Sequence, residues 1–390
     1  MYISKVKLDN WRNFKSVDVD FTHRIFVVGP NASGKSNLLD VIRFLRDIVK
    51  QAGGFQYAVE ERGGVSKIRC LAARRHPDVG IEVHLSENPA QEPEWIYRLV
   101  FKHSGGGIIK NQAVIVEEKV WNKKQKRWVL ERNNKSPKED SDTLKFTHLE
   151  QPTSNKEFRE VYRFLQEIQY LNIVPQLVRD ADSYMLSANK EDYHGRNLLD
   201  KISKTAKNTR DAYIRRINEV LKIAVPQLEE LQFITDKKGT PHLEAIYTHW
   251  RARGALQQEA QFSDGTLRLI GFMWALLDGQ ETILLEEPEL YLHTAIIKQL
   301  PEFISKLQRR KNRIRQVIIT THSYDLLTEG IGADEVVLLE TTPEGTLARR
   351  GDCVEQIKQY LEAGFSMAEA VIPASAPKDI DKLQQIKIGD

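Results

Sequence analysis

Gly29-Pro30-Asn31-Ala32-Ser33-Gly34-Lys35-Ser36 is the stretch on which the fold turns. It matches G-x-x-x-x-G-K-[ST]. Ile25 to Val28 precede it as a continuous apolar run, the pattern of a strand buried on both faces. Leu38, Leu39, Val41, Ile42, Leu45, Ile48 and Val49 follow at helical spacing. Strand, glycine-rich turn and helix form the context in which this motif holds phosphate. The glycines let backbone N–H groups turn inward around phosphate oxygens. The helix N-terminus adds positive potential at the same place. Lys35 then reaches the β- and γ-phosphates, and the Ser36 hydroxyl ligates Mg²⁺. A chance match arises in roughly one such chain in a hundred, and the strand–helix context makes chance rarer still.

Working outward, Ile3, Val6 and Leu8 alternate, as do Val17, Val19 and Phe21, around Trp11-Arg12-Asn13-Phe14. Two short strands are expected. From residue 53 to 150, Gly53-Gly54, Gly63-Gly64 and Gly105-Gly106-Gly107 punctuate short alternating runs, which predicts antiparallel hairpins. Phe158, Val161, Leu165 and Ile168 share a helical face, and Tyr170 to Val174 reads as a strand. Residues 196–224 predict one or two amphipathic helices, with Leu198, Leu199, Ile202, Ile214, Ile217, Val220 and Leu221 inward. The last third returns to α/β: a helix Thr266 to Asp278, a strand Thr282 to Leu285, a helix Ala295 to Arg310 containing Pro301, strands Gln316 to Thr320 and Glu335 to Leu339, and a helix Val354 to Ala363.

Three further motifs carry chemistry. Ser263-Asp264-Gly265-Thr266 opens a helix, so a hydroxyl and backbone N–H groups can face an anion; an ordinary N-cap is the plainer reading. Ile283-Leu284-Leu285-Glu286-Glu287-Pro288-Glu289 is an apolar strand ending in two carboxylates. One can hold a metal shell and the next can polarise a water. Ile318-Ile319-Thr320-Thr321-His322-Ser323 is a strand that ends in a histidine.

In this order the motifs resemble the ABC-class ATPases, and among them the SMC/RecF/OLD branch. Leu8 to Phe14 is similar to that branch's N-terminal strand pair, Gly29 to Asn37 to its P-loop with the trailing Asn, Glu287-Pro288-Glu289-Leu290-Tyr291-Leu292-His293 to its Walker B and D-loop, and Thr321-His322-Ser323 to its switch histidine. The resemblance spans residues 1–340. It implies an ABC-type α/β head with a mixed sheet lobe, an antiparallel β subdomain and a helical insertion. It implies ATP and Mg²⁺, with Gly29, Asn31, Gly34, Lys35, Ser36 and Asn37 on the nucleotide and Arg12 reaching it. Ser263 and Gly265 match the signature that binds the γ-phosphate of ATP held by another protomer. Glu286 stands where the family has the Walker B Asp, one methylene longer. Glu287 takes the general-base position, His322 contacts the γ-phosphate, and Gln176 is the candidate for the Q-loop metal contact. Ser-Asp-Gly-Thr lacks the fuller transporter signature, which favours the SMC-like branch.

The chain has 390 residues, 41% hydrophobic and 28% charged, as a globular protein of two or three domains does. Expected boundaries are 1–179 for an N-terminal lobe with the P-loop and β subdomain, 180–230 for the helical insertion, 231–340 for a C-terminal lobe, and 341–390 for an extension. Lys+Arg 57 against Asp+Glu 54 gives +3, which exerts no global pull on nucleic acid or membrane. Two cysteines, Cys70 and Cys353, form no disulfide framework, so a reducing cytoplasm is expected. No signal peptide or spanning segment is read. The stretch after His322 is shorter than a TOPRIM nuclease domain, and its Asp379-Ile380-Asp381 has no fold around it, so no intrinsic nuclease is expected. The basic stretch Lys119 to Lys138, with Trp121 and Trp128 interleaved, is the best nucleic-acid candidate, against the plainer reading of a solvated hairpin. Arg74-Arg75-His76 is a second basic cluster. The expectation is an ATPase that forms an ATP-sandwich homodimer or a higher oligomer. It would act as sensor and scaffold for a separate effector, a nuclease or toxin, in anti-phage defence. Partner docking is expected on residues 180–225 and after 340. A RecF-like ATPase that binds gapped or damaged DNA is the alternative.

Overall fold

The structure is a computed structural model that describes residues 1–72, 78–88, 91–104, 112–136, 140–179, 193–248, 255–279, 282–310 and 313–375. Arg74-Arg75-His76 and Asp379-Ile380-Asp381 lie outside the described residues. The chain forms two compact units. One comprises Met1–Gln169, Glu281–Leu284 and Lys311–Asp390, the other Tyr170–Gln280 and Leu285–Arg310.

The first unit holds two sheets. Six antiparallel strands run in the order Phe14–Asp20, Tyr2–Trp11, Val79–Ser86, Trp95–His103, Ala113–Asn122 and Arg127–Asn133. Alternation sets their register: Val6 faces Val19 and Leu8 faces Val17, all buried, while Lys5 and Lys7 turn toward Asp18. In the second sheet Arg24–Val28 lies between Val317–Thr321 and Val336–Thr342, parallel to both. Every residue of Arg24–Val28 and of Val317–Thr321 is buried, which accounts for their unbroken apolar runs. The helix Lys35–Val49 packs between the sheets. Its Phe44 ring sits 5.3 Å from Trp11, 6.5 Å from Phe55 and 5.5 Å from Phe101, an aromatic core with edge-to-face and stacked pairs.

One expectation is corrected here, and two elements were not expected. Residues 53–72 form helices, Phe55–Glu60 and Val65–Ile68, rather than strands. Gly54 and Gly64 are N-caps at positive φ, and Phe55, Ala58 and Val59 bury one helical face. Gly345–Arg350 adds a strand beside Val336–Thr342. A final helix, Met367–Ser375, buries Met367, Ala368 and Val371.

The second unit is a helical layer on a small sheet, Leu228–Thr235, Pro241–Tyr247 and Ala255–Gln258. Leu198–Lys204 and Lys207–Ala224 are the two amphipathic helices. Ile214, Ile217 and Leu221 face inward as expected, whereas Val220 is half-buried. The helix Asp264–Leu277 is buried on almost every side, with Trp274 against Tyr213 at 5.4 Å. The helix expected from 295 to 310 is broken into Thr294–Ile297 and Leu300–Gln308. Pro301 falls in the first turn of the second piece, where its missing N–H costs no hydrogen bond.

Candidate nucleotide-binding site

In the first unit, Gly29 to Gly34 joins the end of Arg24–Val28 to the helix that starts at Lys35. Gly34 is the N-cap at φ 100, with no side-chain cap. A Cβ there would meet the Asn13 amide at 2.2 Å, so only glycine fits both the conformation and the space. Ala32 also adopts a left-handed conformation, φ 62. Lys35 is 8% exposed, and its amine donates to the Gly29 and Pro30 carbonyls at 2.9 and 3.2 Å, so the charge lies inside the loop. Asn31 and Ser36 are exposed. A glycine-capped helix start, a buried ammonium and a neighbouring exposed hydroxyl fit a magnesium-bound phosphate chain.

The strand pair reaches this loop through its turn. Asn13 Nδ2 donates to the Ser33 carbonyl at 2.6 Å and to Thr346 Oγ1 at 2.7 Å. Asn37 Nδ2 donates to Asn13 Oδ1 at 2.8 Å, and the Trp11 indole donates to the Asn37 carbonyl at 3.0 Å. Asn10 and Arg12 are both left-handed, φ 56 and 54. Arg12 meets Asp40 at 3.3 Å, and Asp40 also accepts from Arg62 at 2.8 Å. Burial opposes the Asp40 charge, but Arg62, Arg43 and Arg12 outweigh it and hold its carboxyl below the usual range. A cleft of about 1620 Å³ opens beside Arg12, Asn13 and Asn37, with Lys67 and Arg69 exposed on its wall. Thr321 pairs with Val28, so His322, exposed, leaves the same sheet edge as Gly29.

In the second unit, Ser263 caps the helix Asp264–Leu277. Its Oγ accepts from the Thr266 N–H at 3.2 Å and lies 2.8 Å from Thr266 Oγ1. Gly265 sits under the Tyr291 carbonyl, which a Cβ would approach to 2.6 Å. Gln176 Nε2 donates to Asp264 at 3.1 Å, beside Arg179, which pairs with Asp264 at 2.6 Å. The side chain of Gln176 therefore serves the Ser-x-Gly turn. Glu286 instead accepts from the Tyr170 hydroxyl and from Asn172 Nδ2, the latter at 3.2 Å. Glu287 is left-handed at φ 41. The first unit thus brings together Arg12, the P-loop residues through Asn37, and His322. The second brings together Gln176, Ser263, Gly265, Glu286 and Glu287. Asn13, Tyr170 and Asn172 were not singled out from sequence. Asn13 stood inside a quoted motif; for the other two, neighbours on a short strand end, the sequence carried no signal.

The basic stretch forms the hairpin Ala113–Asn122 and Arg127–Asn133, and four of its cations pair with acids. Lys119 meets Glu117 at 3.0 Å, Lys123 meets Glu94 at 3.2 Å, Arg127 meets Glu157 at 3.0 Å, and buried Arg132 meets Glu118 at 3.2 Å. Trp121 and Trp128 pack edge to face at 5.6 Å. These ion pairs offset much of the hairpin's positive charge, while Lys124 and Lys126 in its turn are exposed.

A family model described as "AAA domain, putative AbiEii toxin, Type IV TA system" matches residues 24–329. The chain belongs to this family. Its fold is that of SMC heads, and part of its sequence is similar to RecF. Among solved structures, an SMC head bound to the C-winged helix domain of ScpA is similar at TM-score 0.56 and 14% identity, covering 90% of this chain and 98% of that one. An SMC head with an extended coiled coil, bound to the C-terminal domain of ScpA derived from Pyrococcus furiosus, gives 0.53 at 12% identity over 93% and 99%. These show the fold. Among curated relatives, the DNA replication and repair protein RecF of Lactobacillus gasseri is 46% identical over 117 residues, 30% of this chain and 31% of that protein. RecF of Oenococcus oeni is 48% identical over 103 residues, 23% and 27%. The chain therefore matches under a third of the length of either relative. Among the described residues, no helix is long and apolar enough to cross a membrane.

Proposed function

We propose that this family member binds ATP with Mg²⁺, closes on it as a homodimer, and hydrolyses it. The observation that carries this reading is Lys35, buried in a glycine-capped loop with its amine on the Gly29 and Pro30 carbonyls. Phosphate oxygens replace those carbonyls as partners of the amine, and the helix start receives the remaining charge. Bound magnesium would neutralise phosphate charge, with the Ser36 hydroxyl and a Glu286 oxygen as the groups to hold it. The Tyr170 and Asn172 bonds fix the Glu286 carboxylate, which supports a defined role for its longer side chain. Glu287 accepts the proton of the attacking water, and His322 orients the γ-phosphate. Ser263 and Gly265 of a second copy engage the phosphate from the far side, which makes the interface isologous.

In the fuller reading this ATPase works in the cytoplasm as sensor and scaffold for a separate nuclease or toxin in anti-phage defence, docking it on residues 180–225 and the segment after 340. The family's description names a putative AbiEii toxin of a Type IV TA system, a toxin–antitoxin setting in which the named member is the toxin itself. The curated relatives favour a second reading, a RecF-like ATPase acting on damaged or gapped DNA. Sedimentation tests the dimer: with ATP the wild type shifts to twice its mass, and Ser263→Arg stays monomeric while still binding nucleotide. A wild type that remains monomeric while hydrolysing ATP overturns the sandwich. Turnover stimulated several-fold by gapped DNA, lost at high salt, selects the second reading.

A further inference from the structure

Arg268 lies one turn beyond Ser263 on the helix Asp264–Leu277 and is 4% exposed. Its guanidinium makes three hydrogen bonds to main-chain carbonyls: Ile173 at 2.9 Å, Glu286 at 3.3 Å and Glu287 at 2.6 Å. It also lies 5.7 Å from the centre of the Tyr291 ring. Both Glu287 and Tyr291 are left-handed, φ 41 and 66. An L-residue adopts that conformation only at a steric cost, which its surroundings offset. Two contacts impose it here: the guanidinium on the Glu287 carbonyl, and Gly265, whose missing side chain admits the Tyr291 carbonyl.

A buried arginine needs a reason. Burial works against its charge, and an apolar side chain of like volume packs the same space without that penalty. Three carbonyls from two separate segments converge on its fork. That geometry suits a planar guanidinium and no other side chain.

We propose that Arg268 is a positioning residue that fixes the main chain of Glu287 and so aims its carboxylate at the attacking water. This rests on the ATPase reading above. It goes further in making the signature helix the support of the general base within one subunit. Neither Ser263 nor Glu287 is displaced from its own role. Loss of Arg268 lets Glu287 relax to an ordinary backbone conformation and misdirects the carboxylate, while phosphate binding at Lys35 is untouched.

The test compares full-length wild type, Arg268→Lys and Arg268→Met for ATP affinity, kcat, KM and melting temperature. In Arg268→Lys, affinity and KM should stay within about twofold of wild type while kcat falls at least about tenfold, because one ammonium nitrogen cannot occupy the two places that Nη1 and Nη2 take. Arg268→Met should lower kcat further. A folded Arg268→Lys protein with wild-type kcat overturns the proposal. So does a parallel loss of kcat, affinity and melting temperature, or a lysine variant that does not fold, since a purely structural role then suffices. If wild type itself neither binds nor hydrolyses ATP, the ATPase reading fails and takes this with it. If wild type turns over and Arg268→Lys equals it, only the assignment to Arg268 fails.

Discussion

The two units hold the backbone of their functional loops with different donors. In the first, side chains hold a backbone: Asn13 and Trp11, from a strand turn far from the P-loop in sequence, bond to the carbonyls of Ser33 and Asn37. In the second, a single buried cation gathers main-chain carbonyls, and glycine gives way to a neighbouring backbone. A neutral amide with three partners is replaceable at modest cost, because each bond contributes about 1 kcal/mol net. A buried guanidinium is not, because its removal leaves several carbonyls without a donor. The difference predicts where each unit is fragile: the first at the cation inside its loop, the second at the backbone of Glu287.

The largest effect separates the two grips outright. Lys35→Ala should weaken ATP binding by about 10³-fold, since no other cation is buried in the loop to take its place. Equilibrium titration with ATP measures it, and wild-type affinity in the variant removes Lys35 from the site. The next acts on the other unit and has the opposite profile. Glu287→Gln should leave affinity within about twofold and slow hydrolysis by about 10²-fold, so ATP-bound dimers accumulate. Steady-state turnover beside a binding curve reads both; undiminished kcat excludes Glu287 as the base.

A smaller change probes the side-chain grip itself. Asn13→Ala removes the bond to the Ser33 carbonyl, which belongs to a fully buried residue, along with the Thr346 and Asn37 contacts. We expect destabilisation of about 1–3 kcal/mol and roughly tenfold weaker ATP binding, by denaturant titration and by affinity measurement. Asn13→Asp retains the acceptor for Asn37 and loses the donor, so it should bind ATP no better than the alanine variant.

How much of this could be read beforehand follows from the same contrast. The P-loop, its strand and its helix are local patterns, so Gly29 to Val49 was legible down to Lys35 and Ser36. The α/β class followed from the apolar runs that both central strands show. Residues 53–72 were misread because paired glycines mark hairpin turns and positive-φ helix caps alike, and only packing of Phe55 under Phe44 and Phe101 decides between them. Gly345–Arg350 was missed because Gly-Thr-Leu-Ala-Arg-Arg has no apolar alternation to mark a strand: Thr346 is its one buried residue and Leu347 is exposed. Arg268 left no trace at all: its partners are carbonyls, which every residue has. The basic hairpin looked like a patch because the sequence does not show that Glu131 stands across from Lys119, nor that Glu117, two residues back on the same strand, shares its face.

The smallest expected effect is a difference in sign between the units. In the first, Glu82 is pulled down to about 2 by its hydrogen bond to His84, against the effect of burial, and by Lys7 and Arg98. Its ordinary value is 4.5. A depressed carboxylate stabilises the fold above its unfolded value, and that contribution disappears as pH falls from about 4.5 through about 2. In the second, His242 is raised above 6.5 by its bond to Glu259, 2.7 Å away, with burial opposing and Asp236 adding attraction. A raised imidazole stabilises the fold fully below 6.5, and the contribution is lost as pH climbs through the folded value. Acid should therefore loosen the sheet that carries Glu82, and neutral to alkaline pH the sheet that carries His242. Amide exchange across Val79–Ser86 and Pro241–Tyr247, followed over pH, separates the two. His242→Gln should flatten the upper dependence and leave the lower one, and Glu82→Gln the reverse. If His242→Gln leaves the upper slope intact, the ion pair with Glu259 is not its source.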